Sequence, residues 1–170
     1  MKKCLAWFLV AALLCGTPFA LANEGPEEGS FPAHTFAPEG FDVSVTLPEG
    51  FNFIYSEPDE DLINEAYYYI DAMCSEFQYF VEIFNLGDES FAIDDLVEYY
   101  TDDEDYEGVS IVYVKGRSFV LAPIPESAIL QASTLSDDGS VWVQVTIFPY
   151  ADGAELNGYT AELLSHIVFE

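Results

Sequence analysis

Acidic residues that alternate along one segment are the first candidates for chemistry in this sequence. They precede a glycine, as in the first half of a calcium-binding loop: Asp103, Asp105, Glu107 and Gly108. The twelfth position of such a loop needs a bidentate Glu, and Val114 stands there. The spacing therefore predicts a weak, irregular Ca²⁺ site to which Asp102 and Glu104 could contribute. The alternative is a solvated acidic loop.

Other polar residues give weaker hypotheses about catalysis. A second acidic segment, residues 57–65, contains Asp59, Glu60 and Asp61 and is a poorer Ca²⁺ candidate. Ser165 and His166 are adjacent on a predicted helix and are expected to point in different directions, whereas a nucleophile and its base must face each other. A carboxylate pair of a hydrolase is an alternative, because acids are numerous, but no acid is identified as buried.

Consecutive tyrosines suggest a recognition surface. On a strand, Tyr67 and Tyr69 would share one face and Tyr68 the other, and Tyr79 is predicted nearby. Such a surface could stack on a sugar or contact a protein partner. The alternative is that these aromatic side chains fill half-buried strand positions, which suit them.

The charge balance excludes some partners. The chain has 31 Asp and Glu against four Lys and Arg. Two of those four, Lys2 and Lys3, lie in the first 22 residues, which contain no acid. A chain without that segment keeps only Lys115 and Arg117, which leaves a net charge of −29. Nucleic acids and anionic membrane surfaces are therefore not expected partners.

The first 22 residues have the pattern of an export signal. A basic start is followed by the apolar stretch 5–15, and Ala20-Leu21-Ala22 forms a small-x-small cleavage site. We expect cleavage between Ala22 and Asn23 and a secreted or periplasmic protein without stable membrane insertion. A retained membrane anchor and a lipoprotein modified at Cys15 are the alternatives.

Cysteine usage predicts a fold without a disulfide. Cleavage would remove Cys4 and Cys15 and leave Cys74 alone, so the fold must depend on its core. Cys74 is expected to pack as a small apolar side chain near a strand end.

The remaining sequence predicts a linker and one domain. Residues 23–37 are rich in Glu, Gly, Pro and Ser and are typical of a flexible linker, and residues 38–170 form a single α+β domain. Apolar alternation predicts eight strands: 41–47, 51–55, 67–73, 77–86, 109–114, 117–122, 128–135 and 141–148. In the last of these, the odd-numbered apolar residues, Val141 to Ile147, should share one face, with Trp142 and Gln144 on the other.

Two helices are predicted to pack on an antiparallel sheet built from consecutive hairpins. In the first, Ser90 is the candidate N-cap, and the apolar positions have helical spacing: Ile93, Leu96, Val97 and Tyr100. In the terminal helix, one apolar face is predicted from Leu156, Tyr159, Leu163, Leu164 and Ile167. Gly158 is a poor helix former, which favours a helix start at Thr160.

This order of elements resembles the PsbP-like fold, named for an extrinsic photosystem protein and shared by a Ran-binding import factor. Small exported bacterial proteins of unknown role also use it. The likeness is carried by four segments: the entry strand and turn at 41–51, the helix start at 90–96, the late hairpin at 136–141 and the closing helix. The resemblance implies an α/β/α sandwich that acts as a binding or scaffold domain.

Taken together, these patterns predict an exported, acidic, non-catalytic binding or scaffold domain for an unknown protein or polysaccharide. No cofactor is expected beyond weakly bound Ca²⁺. A Ca²⁺-binding extracellular domain and a carboxylate-dependent hydrolase are the alternative functions.

Overall fold

The computed structural model describes residues 31–58, 66–74, 76–151 and 156–170. In these residues ten strands and two helices form an α+β structure, which confirms the predicted fold class. The elements in chain order are β1 (His34–Phe36), β2 (Val43–Leu47), β3 (Asn52–Pro58), β4 (Ala66–Met73), β5 (Gln78–Asn85), α1 (Ile93–Thr101), β6 (Ser110–Val114), β7 (Arg117–Ile124), a 3₁₀ turn (Pro125–Ser127), β8 (Ile129–Leu135), β9 (Val141–Phe148), α2 (Gly158–Leu164) and β10 (Ile167–Phe169).

The strands form two antiparallel sheets. Seven strands build the large sheet in the order β3-β4-β5-β9-β8-β7-β6, and three build the small sheet in the order β1-β2-β10. The large sheet consists of two runs of hairpins, β3 to β5 and β6 to β9, which join where β5 pairs with β9. The helix α1 connects these runs and packs on β7 and β8.

The central strand β9 separates two hydrophobic cores. Its odd-numbered residues, Val141, Val143, Val145 and Ile147, lie in the larger core, which also contains residues of the small sheet and of α2. Trp142 faces a second core beneath α1, together with Leu96 and Tyr100. The predicted division of the two faces of β9 is therefore confirmed.

Two short strands lie where the sequence predicts other structure. His34–Phe36 falls in the predicted linker and pairs with β2, with Phe36 opposite Val45. Ile167 does not extend the terminal helix, because the chain after Leu164 turns into β10, which pairs with the other edge of β2. Three-residue strands show no periodicity of their own, and both are held here by hydrogen bonds to β2.

The helix starts also differ from the predicted ones. The N-cap of α1 is Ala92 rather than Ser90, and the Ala92 N–H donates to the Asp95 carboxylate at 2.7 Å. The helix α2 begins at Gly158, two residues before the predicted start. Its cap is Asn157, whose side-chain oxygen accepts from the Thr160 N–H at 2.8 Å. In both helices a polar side chain satisfies an N–H that has no partner within the first turn.

The β8–β9 turn is fixed by hydrogen bonds and by a close backbone contact. The Asp138 carboxylate accepts from the Ser136 hydroxyl and from the N–H and hydroxyl of Ser140. These bonds lower the pKa of Asp138 to about 2. Gly139 has a φ of +74°, and a Cβ at this position would collide with the backbone of Phe91. The Phe91 N–H donates to the Gly139 carbonyl, so the turn holds the chain that leads into α1.

We expect Gly139→Ala to destabilise the protein by more than about 1 kcal/mol, because the new methyl group meets backbone atoms and the φ is unfavourable. Gly87→Ala is the matched control, since Gly87 has a similar φ of +63° but open space around it. Urea denaturation should show the larger loss of stability for Gly139→Ala. Equal losses of stability in the two variants would mean that the close contact between Gly139 and Phe91 does not add to the cost of the substitution.

Candidate functional site

The predicted Ca²⁺ ligands do not form a cluster. Asp103, Asp105 and Glu107 follow α1. The Asp105 N–H donates to the Asp103 carboxylate at 3.0 Å, and the Glu107 N–H donates to the Pro123 carbonyl at 3.0 Å. Across the described residues, no three His, Cys, Asp or Glu side chains are grouped so that they could hold a metal ion. The segment is held by one bond to its own Asp103 side chain and by one bond to the Pro123 carbonyl of β7.

Several other predicted positions lie outside the described residues. They include Ala22 and Asn23 at the expected cleavage site, the cysteines Cys4 and Cys15, and the acids Asp59, Glu60 and Asp61. Cys74 is described, and it is buried with a free thiol directly after β4, as predicted.

The expectation that Ser165 and His166 point apart is wrong, but their contact does not make a catalytic pair. The Ser165 hydroxyl lies 3.3 Å from His166 Nδ1. Both groups also contact the Glu162 carbonyl oxygen, at 2.7 Å and 2.8 Å respectively. A carbonyl only accepts hydrogen bonds, so Nδ1 carries a proton there and cannot accept one from the serine.

The tyrosines of β4 divide between the two faces as predicted. Tyr67 and Tyr69 stack at 6.4 Å between ring centroids, and Tyr68 packs on the larger core. Tyr79 does not join the Tyr67 surface, because it is fully buried on the opposite face with its hydroxyl 3.2 Å from Thr160 Oγ1. The predicted aromatic surface is therefore smaller than the sequence suggests.

A carboxyl group that the sequence analysis did not select lies at the centre of a polar network. Glu82 on β5 accepts from the Tyr67 hydroxyl at 3.0 Å and from the Gln144 amide at 2.8 Å. The Gln144 side-chain oxygen accepts from the Tyr100 hydroxyl at 2.8 Å, which is also 2.6 Å from Ser133 Oγ. The network thus connects four strands of the large sheet, β4, β5, β8 and β9, to α1.

Burial raises the pKa of the Glu82 carboxyl above its ordinary value, and the bonds from Tyr67 and Gln144 oppose that shift. The signal in the sequence is an acid between Phe80 and Phe84, which share its face of β5 because strand side chains alternate. The hydrogen bonds around Glu82 lead from the strands of the large sheet to Tyr100 of α1. We therefore assign the network a structural role in holding α1 on the sheet.

A cavity of about 410 Å³ lies at one end of the large sheet. Three segments form its wall: residues 91–93 at the start of α1, residues 115–118 around the β6–β7 turn, and residues 134–137 at the end of β8. Lys115 and Arg117 both line it, and these are the only Lys or Arg residues in the described ranges. The lining is mainly polar, and Phe91, Ile93 and Leu135 contribute its larger apolar side chains.

Arg117 is held in place by contacts on several sides. Its Nη1 donates to the Leu135 carbonyl at 2.9 Å, and its guanidinium carbon lies 4.4 Å from the centre of the Phe169 ring. Asp137 is 3.7 Å away with a side chain that is 98% exposed, so this ion pair is weak. A guanidinium has five N–H donors, so the bond to Leu135 leaves donors for a ligand.

Lys115 is presented by a tight turn. Lys115 and Gly116 connect Val114 of β6 to Arg117 of β7 and have φ values of +47° and +85°, which is typical of a type I′ hairpin turn. The Lys115 side chain is exposed, and no acidic side chain in the described residues forms an ion pair with it. The turn therefore brings a free ammonium group to the rim of the cavity.

No family model, curated protein or solved structure matches the chain. The resemblance to the PsbP-like fold thus stays a prediction. Neither of the described helices is long and apolar enough to cross a membrane.

We expect Glu82→Gln to stabilise the protein near neutral pH and to leave it less sensitive to pH. Since the folded-state pKa of Glu82 lies above the ordinary value of 4.5, the folded protein binds more protons between these two values than the unfolded chain does. The contribution of Glu82 to stability is therefore present below its unfolded pKa and is lost as pH rises through its folded pKa. Glutamine retains an acceptor but carries no charge.

Urea denaturation between pH 4 and 8 measures this effect. Glu39→Gln is the control, because it removes one exposed carboxyl from the β1–β2 connection. The stability gap between Glu82→Gln and the parent should widen as pH rises, by more than it does for Glu39→Gln. Identical pH profiles for the two variants would contradict the assignment of a buried, destabilised carboxylate.

Proposed function

We propose that this domain is a non-catalytic binding domain that takes a small organic carboxylate into the cavity beside Lys115 and Arg117. The observation that carries the proposal is that both cations of the described residues line the same cavity. In a chain with 31 acidic residues, a cavity with two positive charges is the place where an anion is stabilised most strongly.

The size of the cavity favours a small ligand, and its mainly polar lining favours a charged one. Its volume of about 410 Å³ is within the range of small-molecule sites. Phe91, Ile93 and Leu135 supply apolar contact, and the two cations supply the anchors. A guanidinium held by Leu135 and Phe169 is already ordered, so little conformational entropy is lost when a ligand binds.

Two of the three hydroxyl groups in the described wall already donate within the protein. The Thr134 hydroxyl donates to the Ser118 carbonyl, and the Ser136 hydroxyl donates to Asp138. The remaining side-chain donors in the described wall are the Ser118 hydroxyl and the two cations. Planar carboxylates suit the donor fork of arginine. A single negative charge also meets less repulsion from the surrounding acids than a doubly charged phosphate would.

The wall favours binding over hydrolysis. Asp137 is the only acidic residue that the described lining contains, whereas a carboxylate-dependent hydrolase needs two facing acids.

We further propose that the domain is exported after cleavage between Ala22 and Asn23 and captures its ligand outside the cytoplasm. This proposal is supported by the signal pattern of residues 1–22.

Calorimetric titration with benzoate and with benzyl alcohol tests the proposal, because these probes share a ring and differ in charge. An ionic strength of about 0.15 M screens remote acids beyond about 8 Å but preserves contact pairs. We expect benzoate to bind with a Kd on the order of 1 mM and benzyl alcohol to bind at least about tenfold more weakly, since charge-assisted bonds are the stronger ones.

Lys115→Asn separates binding from folding. Asn-Gly is the preferred type I′ turn sequence, so this variant should keep or raise the melting temperature, while benzoate affinity should fall about tenfold with the lost charge-assisted bond. Lys115→Arg is the control that retains the charge and should retain binding. The proposal fails if both probes bind equally, or if Lys115→Asn binds benzoate as the parent does.

A further inference from the structure

Within the part of the chain that the structure describes, the strand β6 leaves one edge of the large sheet open. It is the last strand in the sheet order, and among the described residues it pairs only with β7. In the two-residue hairpin Val114 and Arg117 form a hydrogen-bonded pair, so the next such pair is Val112 with Phe119. The backbone N–H and C=O groups of Ile111 and Tyr113 therefore point away from β7, toward the open edge.

The open edge also exposes apolar side chains. Ile111 is 41% exposed and Tyr113 is 75% exposed. The strand sequence, Ser-Ile-Val-Tyr-Val, contains no charge, proline or glycine, and its register with β7 is regular. Natural proteins block edge-to-edge pairing with charged residues, prolines or bulges in the edge strand. The strand β6 has none of these.

The opposite edge of the same sheet is protected. The strand β3 has Glu57 and Pro58 at its end and an irregularity in its register between Phe53 and Tyr55. In the small sheet the edge strands β1 and β10 have three residues each, which gives a partner strand little to pair with. Among the described edges, β6 alone is regular, five residues long and without a blocking residue.

The charges on either side of β6 determine which partner strand is electrostatically complementary to it. The segment before the strand is acidic: Asp102, Asp103, Glu104, Asp105 and Glu107. The residues after it, Lys115 and Arg117, are the two cations. When two such strands pair antiparallel, the basic end of each lies against the acidic end of the other, because a two-fold axis matches a surface with itself. The strand is therefore complementary to a second copy of itself.

We propose that two copies of this protein pair through β6, antiparallel about a two-fold axis, and join their large sheets into one. With Val112 at the axis, Ile111 lies opposite Tyr113 of the second copy and exchanges backbone hydrogen bonds with it. The same register brings Lys115 of each copy beside the acidic segment that precedes β6 in the other. Remote acids repel, but salt screens them beyond about 8–10 Å, so the dimer is favoured at physiological ionic strength.

Tyr113→Pro tests the pairing without disturbing β7. Its backbone N–H faces the open edge, and proline is tolerated on an edge strand when that side faces solvent. In sedimentation velocity runs over a range of concentrations in about 0.15 M salt, the parent and Tyr113→Phe should form dimers. The dimer dissociation constant should rise at least about tenfold for Tyr113→Pro. Circular dichroism checks that the variant is folded.

A charge exchange provides a test that does not depend on proline. Lys115→Glu cancels the charge of Arg117, so the end after β6 becomes neutral. The triple variant Glu104→Lys/Asp105→Lys/Glu107→Lys makes the segment before β6 net positive. Each variant alone should dimerise more weakly than the parent, and an equimolar mixture should dimerise better than either variant, because only the mixed pair sets the intact acidic segment of one copy against both cations of the other.

Three results would overturn the proposal. The parent could stay monomeric with the Ile111 and Tyr113 amides protected from hydrogen exchange, which would mean that another segment of the same chain covers the edge. It could stay monomeric with these amides unprotected, which would mean that the edge is free. It could form a dimer that neither Tyr113→Pro nor the charge exchange affects, which would place the interface elsewhere.

Discussion

Burial of the central strand β9 on both faces is the constraint on which the rest of the structure depends. One face packs against the small sheet and α2, and the other lies beneath α1. Because side chains alternate along a strand, a shift by one residue would move Trp142 and Gln144 into the apolar core between the sheets. The register of β9 with β5 and β8 is therefore strongly specified. That register places Gln144 beside Glu82 and sets the position of the β8–β9 turn.

The register of β9 also affects the cavity, through the β8–β9 turn. Gly139, in the turn just before β9, is in backbone contact with Phe91. The start of β9 therefore determines where α1 begins and where one wall of the cavity lies. The opposite wall is the β6–β7 turn, which holds Lys115 and Arg117. In a chain with a net charge of −27, this arrangement concentrates the positive charge of the described residues at one end of the large sheet, which is the basis of the proposal that the cavity binds an anion.

The sequence predicts much of the fold because most of its elements are long enough to show a period. All eight predicted strands are present, and the Asp-Gly turn lies where its pattern indicates. The strands β1 and β10 could not be predicted, since three residues carry no alternation and their hydrogen bonds come from β2. Glu82 could have been noticed as an acid between two aromatic residues on one face. The cavity could not, because its wall joins three segments that meet only after the sheet has formed.

A crystal structure of the protein with 4-bromobenzoate tests the central claim, that the cavity beside the two cations is an anion site. The anomalous signal of bromine locates the ring independently of the protein coordinates. The account predicts one bromine peak within the cavity, against Phe91, Ile93 and Leu135, with the carboxylate bonded to Arg117 and Lys115. Bromine peaks only at other surfaces, or a carboxylate that contacts neither cation, would contradict the claim.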